Sequence, residues 1–171
     1  MLLYTDGMSI LLGKTQAALD SAGLAYRELE CDPALADTAA FCEAYHFSLG
    51  QSANAIIVAG KAEPVKYACC IALATTKLDV NKAVCKQLGV KRASFASGEQ
   101  TQELTGMEIG GVTPFGIPAG IPIYVDAAVL EQKEVVMGGG NRSSKVILEP
   151  QELTRYPGVE VVQGLAKPKA D

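Results

Sequence analysis

With 171 residues, 49% of them hydrophobic and 20% charged, the chain has the length of one domain with a real core. No apolar run approaches the ~20 residues of a membrane-spanning helix. A net charge of −4 at pH 7 excludes broad electrostatic coating of nucleic acid, DNA included. In chain order, residues 9–22 set Leu11, Leu12, Ala18, Leu19 and Ala22 at helical spacing, and Gly23 is the stop. Residues 26–31 read as a strand. Asp32-Pro33 then offers an N-cap and a first-turn proline, predicting one helix to about His46. Ser48 with Gln51 forms a capping box for a short turn, and 54–59 and 67–75 are apolar runs of strand character. Residues 79–88 form the clearest amphipathic helix, with Val80, Ala83, Val84 and Leu88 inward and Lys82 and Lys86 outward. A strand at 93–96 precedes a helix capped by Ser97 and Gln100 and stopped at Gly106. Further strands follow at 121–125, 134–137, 145–148 and 159–162, with helical turns at 127–131 and 150–156. Many short strands with helices between them predict α+β with a mixed sheet.

The segment from Thr105 to Pro118 is too rich in glycine and proline for a helix or central strand. Gly110-Gly111 would leave main-chain N–H groups open to close approach, while Pro114 stiffens the exit and biases Thr113 towards extended backbone. A rigid loop of amides suits an anion or a developing oxyanion, and a tight turn between packed elements is the structural alternative. No GxGxxG, GxxxxGK[ST] or GxSxG occurs, which disfavours a Rossmann-type nucleotide enzyme. Five cysteines (Cys31, Cys42, Cys69, Cys70, Cys85) and one histidine match no zinc spacing. They read as small buried hydrophobes in a reducing cytoplasm, and His46 as a helix-end residue; no metal or cofactor is expected. The start, Met1 to Asp6, has no basic n-region, so no signal peptide is expected.

Charge is unevenly spread. Residues 1–50 carry two basic side chains against seven acidic ones. Residues 61–92 reverse this, with Lys61, Lys66, Lys77, Lys82, Lys86, Lys91 and Arg92 against Glu63 and Asp79. One face could attract phosphates while the rest repels them; a solvated lysine-rich surface without a partner is the alternative.

Thr105-Gly106, then Gly110-Gly111-Val112-Thr113-Pro114-Phe115-Gly116, Tyr124-Val125-Asp126 and Gly138-Gly139 before Arg142 resemble the YbaK/EbsC family. Asp79-Val80-Asn81-Lys82 and Leu88-Gly89 before the Ala96-Ser97 helix start belong to the same pattern, which runs from about Leu24 to Leu165. These proteins are free-standing relatives of the editing domain inserted in bacterial prolyl-tRNA synthetases. The resemblance implies a compact α+β domain with a mixed, barrel-like sheet surrounded by helices; by length the chain is a single domain over 1–166, and 167–171 reads as a loose tail. It also implies hydrolysis of the ester joining a mischarged amino acid to the 3′-terminal ribose of a tRNA, with proton movement left to water or a substrate hydroxyl. The tRNA acceptor end is the implied partner, with an aminoacyl-tRNA synthetase as a second, and small side chains such as alanine, serine or cysteine the implied cargo. On this basis Gly110 and Gly111 would stabilise the oxyanion. Thr113, Pro114, Asp126, Gly138, Gly139, Arg142 and Ser144 would bind substrate, and Lys61, Lys66, Lys82 and Lys86 would hold acceptor-stem phosphates.

Two positions depart from the pattern. Relatives usually carry a lysine where this chain has Asn54, and several carry an aspartate where it has Lys145. A relocated charge predicts that Lys145 reaches the pocket from a neighbouring strand while Asn54 becomes a polar partner. Surface exposure of Lys145 would instead leave a non-catalytic module that binds tRNA ends or nucleotides.

Overall fold

The computed structural model describes residues 3–4 and 8–169. Strands, in chain order, are β1 (Leu3–Tyr4), β2 (Arg27–Glu30), β3 (Ala53–Gly60), β4 (Lys66–Leu73), β5 (Thr76–Leu78), β6 (Ala93–Phe95), β7 (Ile123–Asp126), β8 (Val135–Gly138), β9 (Ser144–Leu148), β10 (Val159–Val162) and β11 (Ala166–Pro168). The α-helices are α1 (Gly13–Ser21), α2 (Thr38–Tyr45), α3 (Cys85–Leu88) and α4 (Gly98–Thr105). One sheet, β1-β2-β9-β8, is antiparallel; the other, β10-β7-β4-β3-β6, is mixed, with β10, β7 and β4 parallel. β5 and β11 form a separate antiparallel ribbon. This is the expected α+β class. A parallel bridge between Ser52 and Val136 joins the two large sheets, and the barrel-like closure goes no further among the described residues.

Strand alternation makes the core. Ile57, Cys69, Ile71, Ile123 and Val125 of the mixed sheet meet Val135, Met137, Val146 and Leu148 of the antiparallel one, with Leu19 and Phe115 beside them. Each such side chain, fully buried, contributes roughly 1.5–3 kcal/mol. The opposite face of β8 and β9 presents Val136 and Ile147 to Phe41 and Cys42 of α2. On the far side of the mixed sheet, Val58, Ala68 and Cys70 pack with Val84 and Leu88. All five cysteines are free and buried.

Three expectations change. The helix expected over 33–46 is a short 3₁₀ turn, Pro33–Leu35, followed by α2. The chain breaks at Ala36-Asp37 because the Ala36 carbonyl turns out to accept from Lys145 Nζ at 2.7 Å, and Asp37 takes extended backbone as the N-cap. The helix expected over 79–88 opens as a π-helical turn, Val80–Val84, capped by Asp79, before α3. Lys167 and Pro168, expected in a loose tail, pair with Lys77 and Thr76, and Lys167 reaches Asp79 at 3.5 Å. Ala170 and Asp171, the end of that tail, lie outside the described residues.

Candidate active site

A cavity of about 380 Å³ opens between α2, the first half of β3 and the glycine loop. β6 pairs only with Val58, Ala59 and Gly60, so between Ile57 and the Ser52–Val136 bridge that edge of β3 has no paired strand among the described residues. Gly110, Asn54, Lys145 and Gly138 line the cavity, together with Thr38, Phe41 and Thr101.

Lys145 is not a surface lysine: it is 7% exposed. Val146 and Leu148 face the core between the sheets, so Lys145 and Ile147 face α2. The ammonium donates to Ala36 O at 2.7 Å and to Gly110 O at 2.9 Å, and lies 5.0 Å from the centre of the Phe41 ring. A cation over a ring at this distance gains about 0.5–2 kcal/mol. Two of its three N–H donors are thus used, leaving one for a ligand. Burial pulls the Lys145 pKa below the ordinary lysine value; Cys31 opposes this, Arg142 adds to it, and Asp37 and Cys42 oppose it. Burial also pushes the Cys31 and Cys42 thiols up, so neither is a ready nucleophile.

Asn54 accepts through Oδ1 from Thr38 Oγ at 3.0 Å and from Ser52 Oγ at 3.2 Å. Its amide N–H groups have no protein acceptor among the described residues and are free to donate into the cavity.

The glycine loop is built differently from expectation. Gly111 N–H is already bonded to Glu108 O at 2.9 Å, and Gly111 O accepts from Gly140 N at 2.7 Å. A Cβ on Gly111 would overlap the Asn141 main chain, so this glycine permits two loops to touch and does not open a ligand site. Gly110 N–H has no acceptor among the described residues. Arg142 Nη1 holds Ile109 O at 2.7 Å, and a trans peptide sets the Gly110 N–H opposite that carbonyl. Arg142 is therefore a clamp: it also donates to Pro33 O at 3.0 and 2.8 Å and pairs with Asp37 at 3.1 Å. Four of its five N–H donors are engaged by these partners, so its guanidinium holds the loops together where it was expected to bind substrate.

Other expected site residues also stand elsewhere. Thr113 and Pro114 are buried outside the cavity lining, anchored by Phe115, whose ring meets Tyr156 edge-on with centroids 5.1 Å apart. Asp126 is buried and accepts from Ala166 N at 3.2 Å. Ser144 Oγ is buried against Asn141 Oδ1 at 2.6 Å, and Gly139 is bonded to Leu12 and Ser144 through its main chain. Lys61, Lys66, Lys82 and Lys86 are exposed as expected, but none lines the cavity. Thr38, Phe41 and the Ala36 carbonyl were hidden within the expected 33–46 helix and carried no signal of their own.

The geometry is that of a small polar cavity with one buried cation, one free main-chain donor and an amide. The family model of the aminoacyl-tRNA editing domain matches residues 32–156. The chain is 32% identical to the uncharacterized protein YwhH of Bacillus subtilis (strain 168), over 75% of this chain and 78% of that protein. It is 28% identical to the multifunctional Ser/Thr-tRNA deacylase ProXp-y of Escherichia coli (strain K12), over 67% and 70% of the two chains. A solved structure described as a candidate trans-editing enzyme for prolyl tRNA synthetase shares the fold, with a TM-score of 0.79 at 24% identity, covering 95% of this chain and 100% of that one. No helix among the described residues is long and apolar enough to cross a membrane. A matched segment of this extent, over a cavity of this chemistry, makes the chain a member of the aminoacyl-tRNA editing domain family.

Proposed function

We propose that the protein is a trans-acting deacylase that hydrolyses the ester of a mischarged aminoacyl-tRNA. The observation that carries this is the convergence of Lys145, Gly110 and Asn54 on one cavity. In this reading the acyl carbonyl oxygen sits between the Gly110 N–H and the free N–H of Lys145. Water adds to the carbonyl carbon, and the charge that develops on oxygen is met by a main-chain donor and an ammonium in a site partly closed to water. One well-placed donor of this kind contributes typically ~3–4 kcal/mol to the transition state. The tetrahedral adduct then collapses: the carbon–oxygen bond to the 3′-terminal ribose breaks, the leaving oxygen takes a proton, and amino acid and uncharged tRNA separate. The attacking water supplies that proton, relayed through solvent or a ribose hydroxyl, so no side-chain nucleophile is needed.

The donor pair differs from the one the sequence suggests. With Gly111 N–H engaged by Glu108 O, Lys145 takes the place of the second amide. Asn54 orients the substrate through its amide N–H groups, while Gly138 lets β8 pack on the glycine loop, since a Cβ there would overlap the Gly111 and Val112 carbonyls. Lys61, Lys66, Lys82 and Lys86 act at longer range, on acceptor-stem phosphates. Small acyl groups suit a cavity walled by Ala53, Ala55, Ile109 and Val112.

The test is deacylation measured across a panel of mischarged tRNAs. Wild type should hydrolyse at least one, and Lys145→Ala and Gly110→Ala should abolish turnover. If both variants only weaken binding of a tRNA that wild type never hydrolyses, the domain is a binding module.

A further inference from the structure

Phe95 has no part in the core or in the chemistry above. Its ring is 54% exposed on β6, the edge strand of the mixed sheet, where a bare apolar side chain is a liability unless something covers it. The pairing of Val58 with Phe95 puts the ring on the face of the sheet that also carries Ile56, two residues along β3. Ile56 lines the cavity, as do Ala96 and Gly98, which follow Phe95 in the chain. Beyond Gly98 stands Ile109, 49% exposed, with Cγ1 3.5 Å from the point a Gly98 Cβ would occupy. Phe95 does not itself line the cavity; it stands next to residues that do, with Ile109 beyond them.

The surroundings are basic. Lys91 and Arg92 lead into β6, and Lys61 N–H bonds Arg92 O at 2.9 Å, which draws Lys61 beside them. All three side chains are exposed, and none forms an ion pair among the described residues. No acidic residue occurs from Lys91 to Gly98; the nearest along the chain is Glu99 on α4.

We propose that Phe95 is a stacking platform for a nucleobase of a single-stranded RNA 3′ end, held at the cavity mouth while the acylated ribose enters. The proposal rests on the deacylase reading. An unpaired 3′ end offers bases whose faces are free, and aromatic side chains flanked by Lys and Arg bind such strands by stacking plus phosphate neutralisation. It also gives the terminal nucleotide a holder other than Arg142, most of whose donors are engaged within the protein.

The protein contains no tryptophan, so Phe95→Trp introduces a single indole as a reporter. CCA trinucleotide RNA is titrated into that variant beside a ribose-phosphate trimer lacking bases. Saturable quenching by CCA alone is expected. Phe95→Ala should raise KM for an aminoacyl-tRNA about tenfold with kcat within about twofold, and leave hydrolysis of a base-free aminoacyl ester unchanged. An equal or absent response to both trimers overturns the proposal, and so does an unchanged KM in Phe95→Ala. A dimer in sedimentation that Phe95→Ala dissociates would assign the ring to self-association instead. Quenching needs no turnover, so a protein that binds CCA without hydrolysing any ester overturns the deacylase reading and leaves the platform standing.

Discussion

The two ends of β3 use positive charge in opposite ways. At the Asn54 end one ammonium, Lys145, is buried beneath α2 and held by two carbonyls. At the Gly60 end Lys61, Lys66 and Arg92 stand in solvent. A unit charge acting at 4 Å is worth about 1 kcal/mol in water and about 4 kcal/mol where the effective dielectric is near 20. The buried cation therefore has the stronger local field with a single charge, and keeps it in salt. The exposed group gains only through number and is screened beyond about 8–10 Å. One arrangement suits charge appearing at a single atom during a reaction; the other suits a chain of phosphates.

The largest effect comes from emptying the buried end. Lys145→Met keeps an unbranched apolar stem and removes the charge, and kcat for deacylation should fall by about 100-fold or more. Far-UV circular dichroism on the same sample separates a loss of chemistry from a loss of fold. If turnover survives, the cavity cation has no part in the reaction.

Alkali should reach the same end by a second route. Because burial lowers the Lys145 pKa, its proton leaves at lower pH than from an ordinary lysine. The enzyme-dependent rate, corrected for spontaneous ester hydrolysis, should therefore decline on the alkaline side before free lysine would titrate. Stability responds with the opposite sign. Between the folded and unfolded pKa values the unfolded chain binds the extra proton, so this group's contribution to folding rises with pH. Measured as the difference between wild type and Lys145→Met, unfolding free energy should shift in favour of wild type as pH rises through that window. A flat difference would mean that Lys145 titrates as in water.

Arg142 sharpens the contrast from the rim. It is partly exposed, yet on the proposed reading it acts through the loop it holds, not by screening phosphates. Arg142→Lys can keep one of these bonds but not the fork to Pro33, Asp37 and Ile109 together. With the Ile109–Gly110 peptide free to turn, kcat should drop about tenfold while KM moves little. A change in KM alone would return Arg142 to direct substrate binding.

The legible parts of this molecule were those written in neighbouring residues. Ser97 and Gln100 exchange hydrogen bonds of 2.9 and 3.0 Å at the start of α4, and Gly106 ends that helix in left-handed backbone. Both follow from side-chain chemistry within one turn. The apolar runs of β3 and β4 were equally plain, since a strand buried on both faces needs little but apolar side chains. The site was legible in membership only. Gly110, Asn54 and Lys145 could be named from a pattern, but the burial of Lys145 depends on α2 docking over β9. Arg142 could not be read as a clamp because its partners Pro33 and Ile109 lie 109 and 33 residues away in sequence. Gly111 misled for a related reason: a glycine that admits a ligand and one that admits another loop leave the same letter.

The exposed end should give the smallest effects, and its distinguishing mark is salt. Lys61, Lys66, Lys82 and Lys86 each lie in water, so a single change to alanine should raise KM for aminoacyl-tRNA only a few-fold and leave kcat alone. What changes more clearly is the dependence on ionic strength. Each phosphate that a variant no longer neutralises should reduce the slope of log affinity against log salt by about one, so replacing all four lysines flattens it in steps. Lys145→Met, although it removes the same formal charge, should leave that slope almost untouched, because its field is spent on one atom inside the cavity. Affinity measured for each variant at several salt concentrations reads the difference directly. If the four surface variants keep the wild-type slope, the lysine-rich face is a solvated surface, and the phosphates are held elsewhere.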